Sequence, residues 1–436
     1  MSISLWFIII TFLVLMFAGV PVAFSLGVPC ILWGLVVRGG IPITFVAQNI
    51  MGYMLSFTLI SMPGFLLVGR LMNTCGVTDK LFKFAIAMVG RWRGGLAHAN
   101  ALASMMFASM SGTAVGDAGG LGLVEMKMMK EAGYDPYFAA GITASSSVLG
   151  PIIPPSSIMI MLGAVGEVSV ASLFYGGIMP GVLMTAALML NIALRAIFTK
   201  EGRTWPKTVI PWKEALKTIP QALPALGTFV IIIGSINGGV CTPTEAAILA
   251  VWYALILGIC YRKVTFKNFW ETLCQTIDAC GTFMLIAATA SILAWAFTIE
   301  GVPMMLRASL GGLMEQYGQT GLLLVCGVIF LILGCFLDTG AAALLTAPIL
   351  MPVMKALGIS LVHFGLIMVV GLLIGIITPP FGLCLFVVAN VNNLTVKGVT
   401  KEALRYLPAM VIVLILIIIF PEIVLWLPRI SGLSIN

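Results

Sequence analysis

The sequence predicts an all-α, multi-pass membrane protein built from two inverted-topology repeats, and three observations carry that reading. Of the 436 residues, 60% are apolar and only 9% are charged, whereas a soluble globular chain carries about 25% charge. A mean hydropathy of +1.13 agrees. The apolar residues also fall into blocks of about 20, the length at which a helix crosses the hydrocarbon core. Finally, the two halves of the chain match each other in one gap-free register, with their basic loops exchanged.

Taken in order, the first apolar block covers 3–17 and the second 20–37, separated at Gly19-Val20-Pro21. The pair lacks a basic leader and is too long for a removable signal peptide, so it reads as two retained spans. Further spans are expected at 56–75, 136–165, 169–196, 222–240, 242–261, 280–299, 361–392 and 408–428. Segments 41–54 and 264–277 mix polar and apolar residues and read as interfacial. Two apolar pairs, 96–132 and 320–357, are interrupted midway, one at Ser111-Gly112-Thr113 with Gly116-Asp117 and the other at Asp338-Thr339-Gly340. Both read as re-entrant helical hairpins, because non-helical backbone at membrane depth is tolerated only where protein or an aqueous cavity satisfies it. The polar stretch 200–221, with Pro206, Pro211 and Pro220, divides the chain. The expected organisation is a first repeat over 1–199, with hairpin 96–132 and broken helix 136–165. A cytoplasmic connection follows over 200–221. The second repeat covers 222–436, with hairpin 320–357, broken helix 361–392 and final helix 408–428.

A shift of 225 positions superposes the halves. Gly76 and Val77 fall on Gly301 and Val302, and Met126, Met129, Lys130 and Gly133 on Met351, Met354, Lys355 and Gly358. Gly150, Ile152, Pro154 and Pro155 fall on Gly375, Ile377, Pro379 and Pro380. Apolar matches are cheap in this composition, but the Gly, Lys and Pro-Pro matches in one register are not. The connection after the third span carries Lys80, Lys83, Arg91 and Arg93, while its equivalent has Arg307 beside Glu315. Conversely, Arg262, Lys263 and Lys267 correspond to a window holding only Arg38. Basic residues are retained on the cytoplasmic side, so the exchange marks oppositely oriented halves. Placing 80–93 in the cytoplasm also places there every basic cluster except the isolated Lys355, and leaves both termini on the outer face.

Several chemistries are excluded or left without support. The surplus charge of +7 is small and scattered over short loops, so nucleic-acid binding is not expected. The nine Cys sit mostly in apolar runs without a CxxC and read as buried hydrophobes. No GxxxxGK[ST] loop occurs, and His98 and His363 alone cannot supply haem-ligating pairs or an HExxH zinc site. A membrane enzyme or respiratory-complex subunit is left without a visible cofactor site; no organic cofactor is expected. A passive channel remains a further reading.

The functional signal lies in the breaks. Proline removes an amide donor and clashes with the preceding turn, so Pro154-Pro155 and Pro379-Pro380 should each interrupt a span. A break exposes carbonyls that suit a cation and amides that suit an anion. Two broken spans facing two hairpin tips near the midplane form the binding-site geometry of many secondary transporters. Asp338 at bilayer depth costs at least ~2.5–3.5 kcal/mol and calls for a cation or proton. Its counterpart is Thr113, so one cation type could meet a neutral site in one half and an acidic one in the other. Asp117 reads equally as a helix cap or a functional group, whereas Glu245 and Glu300 read as helix caps. Ser109, Ser111 and Ser156 place hydroxyls where a carboxylate or a sugar hydroxyl could be received. No arginine stands clearly within the expected pocket.

At these motifs the sequence resembles the large membrane subunit (M, DctM type) of tripartite ATP-independent periplasmic (TRAP) transporters. The resemblance rests on FASMSGT (107–113), GYDP (133–136), GPIIPP (150–155), PTEA (243–246), Leu337-Asp338 and GIITPP (375–380), in family order and over most of the chain. It implies an elevator-type fold like that of the ion transporter superfamily. The implied function is Na⁺-coupled import of a small organic acid across the bacterial inner membrane, with both termini periplasmic. The implied partners are a small four-helix membrane subunit (Q type), a separate polypeptide since this chain begins at the large subunit, and a periplasmic substrate-binding protein (P type). Carried over by resemblance, the Na⁺ sites fall on Ser111, Gly112 and Thr113 with Gly150 and Pro154, and on Asp338, Thr339 and Gly340 with Thr378 and Pro379. Substrate contacts fall on Ser109, Ser111 and Ser156. Dicarboxylates, keto acids and sialic acids all remain open as substrates, and a stand-alone sodium/anion permease is the alternative within transport.

Overall fold

A computed structural model describes residues 3–40, 43–208 and 210–435; the side chains of Ile3, Ile43, Phe57, Ser109, Ser111, Trp212 and Asn237 lie outside the described residues. Every described regular element is helical. By length and composition six helices can cross a bilayer, or up to eight if each of two bent pairs forms one span. The protein is an all-α, multi-pass membrane protein.

The repeat register reappears in the helices. Displaced by 225 positions, Val77–Val89 falls on the first part of Val302–Phe336, Gly95–Ser111 on its last part, and Pro136–Ser146 on Leu361–Gly375. The matched glycines show why they match. Gly76 and Gly301 have φ of 68° and 73°, and Gly133 and Gly358 have 86° and 75°. This left-handed conformation penalises any side chain with a Cβ, so both halves need glycine at the same corners.

The structure departs from the sequence reading at several elements. Segment 264–277 does not lie apart from 280–299; Phe266–Ile299 is one helix of 34 residues, roughly 50 Å long. Its polar face hides this continuity, because Thr272, Thr276, Thr282 and Thr289 each donate a hydroxyl to a carbonyl four residues back. The span expected at 222–240 begins earlier, at Trp212, and accommodates Pro220 and Pro224 within Trp212–Asn237. The final span is interrupted at Phe420 and Pro421, between Leu407–Ile419 and Glu422–Ile430. The basic 80–93 connection is mostly the helix Val77–Val89, which buries Val77, Leu81, Phe82, Ala85, Ile86 and Val89 along one side. Gly116 and Asp117 lie inside a short helix, Ala114–Gly119, and the second interruption of that hairpin falls at Gly120.

Helices approach closely where small residues face each other, as membrane packing requires. A Cβ on Gly64 of Phe57–Thr74 would stand 2.9 Å from the Ala247 Cβ of Pro243–Cys260. Gly334 near the end of Val302–Phe336 lies against the Leu372 carbonyl and Gly375 of Leu361–Gly375, so these helices cross backbone to backbone. On another face, Glu402 joins Arg195 (2.9 Å) and Arg405 (2.8 Å), tying Val170–Phe198 to Val396–Ala403. Gly334→Ala should therefore force the crossing apart and cost about 1–3 kcal/mol, read as a lower thermal-unfolding midpoint in detergent. Gly281→Ala, at a helical position with open space around it, should leave the midpoint unchanged or raise it.

Candidate functional site between two hairpin tips

The first broken helix runs as Pro136–Ser146, tightens through the 3₁₀ turn Ser147–Leu149, and resumes at Ser157–Gly166. Pro151, Pro154 and Pro155 cannot donate amides across this gap, which frees carbonyls ahead of it. Ser156 ends the gap as the N-cap of the second segment; its hydroxyl accepts from the Met159 amide at 3.4 Å. The facing hairpin tip turns at Gly112, where φ is 60°. Thr113 is extended and caps Ala114–Gly119, accepting from the Gly116 amide at 3.2 Å. Capping at this tip thus belongs to Thr113, while Asp117 is buried within the short helix.

Tip and break interlock through main chain. The Ser157 hydroxyl donates to the Gly112 carbonyl at 2.9 Å. A Cβ on Gly112 would lie 2.8 Å from the Pro155 carbonyl oxygen, and one on Gly150 would lie 3.1 Å from that of Thr113 and 3.3 Å from that of Ser147. Glycine at both positions lets main-chain carbonyls approach closely, those of Thr113 and Ser147 at Gly150 and that of Pro155 at Gly112; carbonyl oxygens suit a hard cation. Behind the tip, Asn100 binds three helices at once. Its amide donates to Glu125 Oε2 (2.7 Å) and Thr143 Oγ1 (2.8 Å), and its carbonyl accepts from Ser146 Oγ (2.7 Å). Nothing in the sequence reading pointed to this network, which needs residues from three separate helices.

In the second half, Asp338 caps Thr339–Ala356, its Oδ2 accepting from the Gly340 amide at 3.0 Å. The adjacent Thr339 hydroxyl is buried and has no hydrogen-bond partner among the described residues. A carboxylate beside an orphaned hydroxyl fits a bound cation, which would satisfy both oxygens. The paired break follows Leu361–Gly375; Thr378 Oγ1 donates to the Ile374 carbonyl at 2.8 Å, and the helix resumes at Leu383–Val391 after Gly382. Here tip and break touch one turn further back, at Gly334 and Gly375, and through an edge-to-face contact of Phe336 with Phe381. Both Pro-Pro peptides are cis. The first break is buried throughout, whereas Pro379, Pro380 and Phe381 are exposed.

Both tips open onto one cavity of about 470 Å³. Of the residues expected from sequence, Thr113, Asp338, Thr339 and Gly340 line it. Gly112, Gly150 and Pro154 stand in the interlocked backbone behind it, and Thr378 and Pro379 in the second break without reaching the wall. Ser156 is buried at its cap and off the wall, which carries its neighbour Ser157 instead. The side chains of Ser109 and Ser111 lie outside the described residues. Arg70 and Asn73 of Phe57–Thr74 also line it, so the cavity does hold an arginine. Arg70 is the one charge in that apolar helix, a signal the sequence offered. Two helix-capping expectations divide. Thr242 and Glu245 form a reciprocal capping box, with the Thr242 amide donating to Glu245 Oε2 at 2.7 Å. The Glu300 carboxylate instead accepts from the Trp33 indole at 3.2 Å.

Comparison with known proteins agrees with this architecture. Residues 9–423 match the family described as tripartite ATP-independent periplasmic transporter, DctM component. The chain is 39% identical to the sialic acid TRAP transporter large permease protein SiaM of Vibrio cholerae, covering 95% of this chain and 96% of that one. It is 37% identical to the C4-dicarboxylate large permease DctM of the same organism, over 98% of each chain. Among solved structures, the YdaH transporter of Alcanivorax borkumensis shares the fold, with a TM-score of 0.61 at 16% identity, over 87% of this chain and 88% of that one. Asn100→Leu should remove the amide that Glu125 Oε2 and the Thr143 hydroxyl accept from, costing about 1–3 kcal/mol or more. A fall in the thermal midpoint larger than that of Ser157→Ala, which loses one hydrogen bond, checks the ranking.

Proposed function

The chain belongs to the DctM component family of tripartite ATP-independent periplasmic transporters, and on that premise we propose that it imports a small organic acid across the bacterial inner membrane, driven by Na⁺. The substrate class spans dicarboxylates, keto acids and sialic acids, in keeping with the acids named for its relatives. The observation that carries the reading is the convergence of two hairpin tips, one neutral at Thr113 and one acidic at Asp338, on a single cavity. The Thr113, Ser147 and Pro155 carbonyls around Gly112 and Gly150 would hold one Na⁺, and Asp338 with Thr339 another. Bound there, the cations supply positive charge that offsets Asp338 and favours an anion in the adjoining cavity. Ser157 and Thr113 keep the first tip docked on its break, and the Gly334–Gly375 crossing keeps the second tip on its own.

In this proposal the two hairpins and two broken helices move together as the transport part, sliding as an elevator against a scaffold formed by the remaining spans of repeats 1–199 and 222–436. Acid and cations must each bind better in the presence of the other, since only differential affinity couples the two fluxes. The basic clusters face the cytoplasm and both termini the periplasm. A small four-helix membrane subunit and a periplasmic substrate-binding protein complete the system.

Proteoliposomes holding this chain with those two partners should accumulate labelled succinate or N-acetylneuraminate when an inward Na⁺ gradient is imposed, and not under an equal K⁺ gradient. Equal uptake under both gradients would contradict sodium coupling. Asp338→Asn should lower uptake and flatten its Na⁺ dependence together, about tenfold or more at limiting Na⁺. An unchanged sodium response would remove Asp338 from the coupling site.

A further inference from the structure

Part of the cavity wall is built from hydrogen-bond donors. Arg70 and Asn73 are three residues apart on Phe57–Thr74, which places them on one face of that helix. Arg70 is half-buried and is the only charged residue of the helix. Its Nη1 donates to Gln275 Oε1 at 3.1 Å, a neutral partner. Among the described residues the ion pairs involve Arg195, Arg405 and Arg429, and no carboxylate stands within ion-pair distance of Arg70. Asp278, one turn from Gln275 on Phe266–Ile299, and Asp338, on the same cavity wall, are both left outside that distance. A guanidinium has five donors and no acceptor, so a single bond to Gln275 leaves most of its valence open. Asn73 is constrained to match. Its side-chain carbonyl accepts the Thr78 hydroxyl at 3.0 Å, which leaves the amide NH₂ as the free function. That NH₂ lies beside Gly120 at the start of the returning hairpin helix, where a Cβ would come within 3.4 Å of it.

The cavity wall thus carries both an anionic and a cationic group. Asp338 suits a cation, whereas Arg70 and the Asn73 amide offer donors that suit an anion. We propose that Arg70, supported by Asn73, receives the carboxylate of the transported acid, with Arg70 giving a two-pronged contact that an ammonium could not reproduce. This deepens the acid-import reading and rests on it. It assigns capture of the acid group to the Phe57–Thr74 helix of the scaffold, which releases it as the transport part slides, while the hairpin tips and breaks serve the cations. The rival role for Arg70 is charge balance alone, in which it offsets Asp338 through space and touches no substrate.

A charge-deletion cycle on the ligand separates the two. The probes are N-acetylneuraminate with its methyl ester and succinate with its monoamide, succinamate. Binding to the purified chain with its small membrane subunit is followed by calorimetry in sodium chloride, and the sodium midpoint by thermal shift against choline chloride. Wild-type protein should bind at least one acid and discriminate against its neutralised partner. In R70M the acid should lose about ten- to a hundredfold in affinity, the ester or amide should bind as before, and the sodium midpoint should stay in place. R70K should recover only part of the discrimination, and it carries the same test should R70M not fold. Undiminished discrimination in R70M, or an effect confined to the sodium midpoint, would overturn the assignment while leaving acid import standing. Failure of the wild-type protein to bind either acid would instead overturn the acid-import reading on which it rests.

Discussion

Backbone that leaves its hydrogen-bond ladder within a membrane must be met by other protein groups, and this constraint organises the molecule. Four interruptions, two at hairpin tips and two at double prolines, would each be untenable facing lipid. They become tenable by facing one another. Gly112 lies under the Pro155 carbonyl, Gly150 under that of Thr113, and Ser157 closes the gap with a bond to Gly112. In the proposed mechanism, the main-chain carbonyls that meet at this tip and break also supply oxygens for a cation. No dedicated cage of side chains is required.

The two halves solve the problem differently, and the difference carries chemical meaning. The first tip is neutral and locked at the turn itself to a break whose double proline is buried. The second is acidic, locked one turn back through Gly334 and Gly375, and its double proline is exposed. The repeated register places equivalent tips on one cavity, but departures from it decide which charges stand on the wall. Asp338 comes from one half and Arg70 from the other, and both line the cavity. Position 295, the counterpart of Arg70 in the second half, is a tryptophan, Trp295, packed against Trp33 and Phe45, so the donor wall exists once.

Much of this was legible because glycine, proline and isolated polar residues stand out against an apolar background. The hairpin tips, both breaks and the register between halves were all marked by such residues, and the left-handed corners at Gly76, Gly133, Gly301 and Gly358 explain the register physically. What was not legible depends on tertiary neighbours or on single-residue boundaries. Ser156 and Ser157 are adjacent, and the helix restart decides that Ser156 caps while Ser157 reaches the tip. Phe266–Ile299 was divided because its threonines look interfacial, although their hydroxyls are spent on their own helix. The lone charge of Arg70 was visible, but its place on the cavity wall needed the packing of Phe57–Thr74 against both halves. The Asn100 network joins residues 100, 125, 143 and 146, a spacing that no local pattern announces.

In the proposed mechanism, cations at the interlocked tips and breaks and the acid in the adjoining cavity bind interdependently. The most direct measurement of that interdependence is the dissociation constant of the acid over a range of sodium concentrations, paired with the sodium midpoint over a range of acid concentrations, on the same purified membrane complex. The account predicts that each ligand tightens the other by an equal factor, as linkage between two bound species requires. Acid affinity that stays constant from sodium-free buffer to saturating sodium would contradict it.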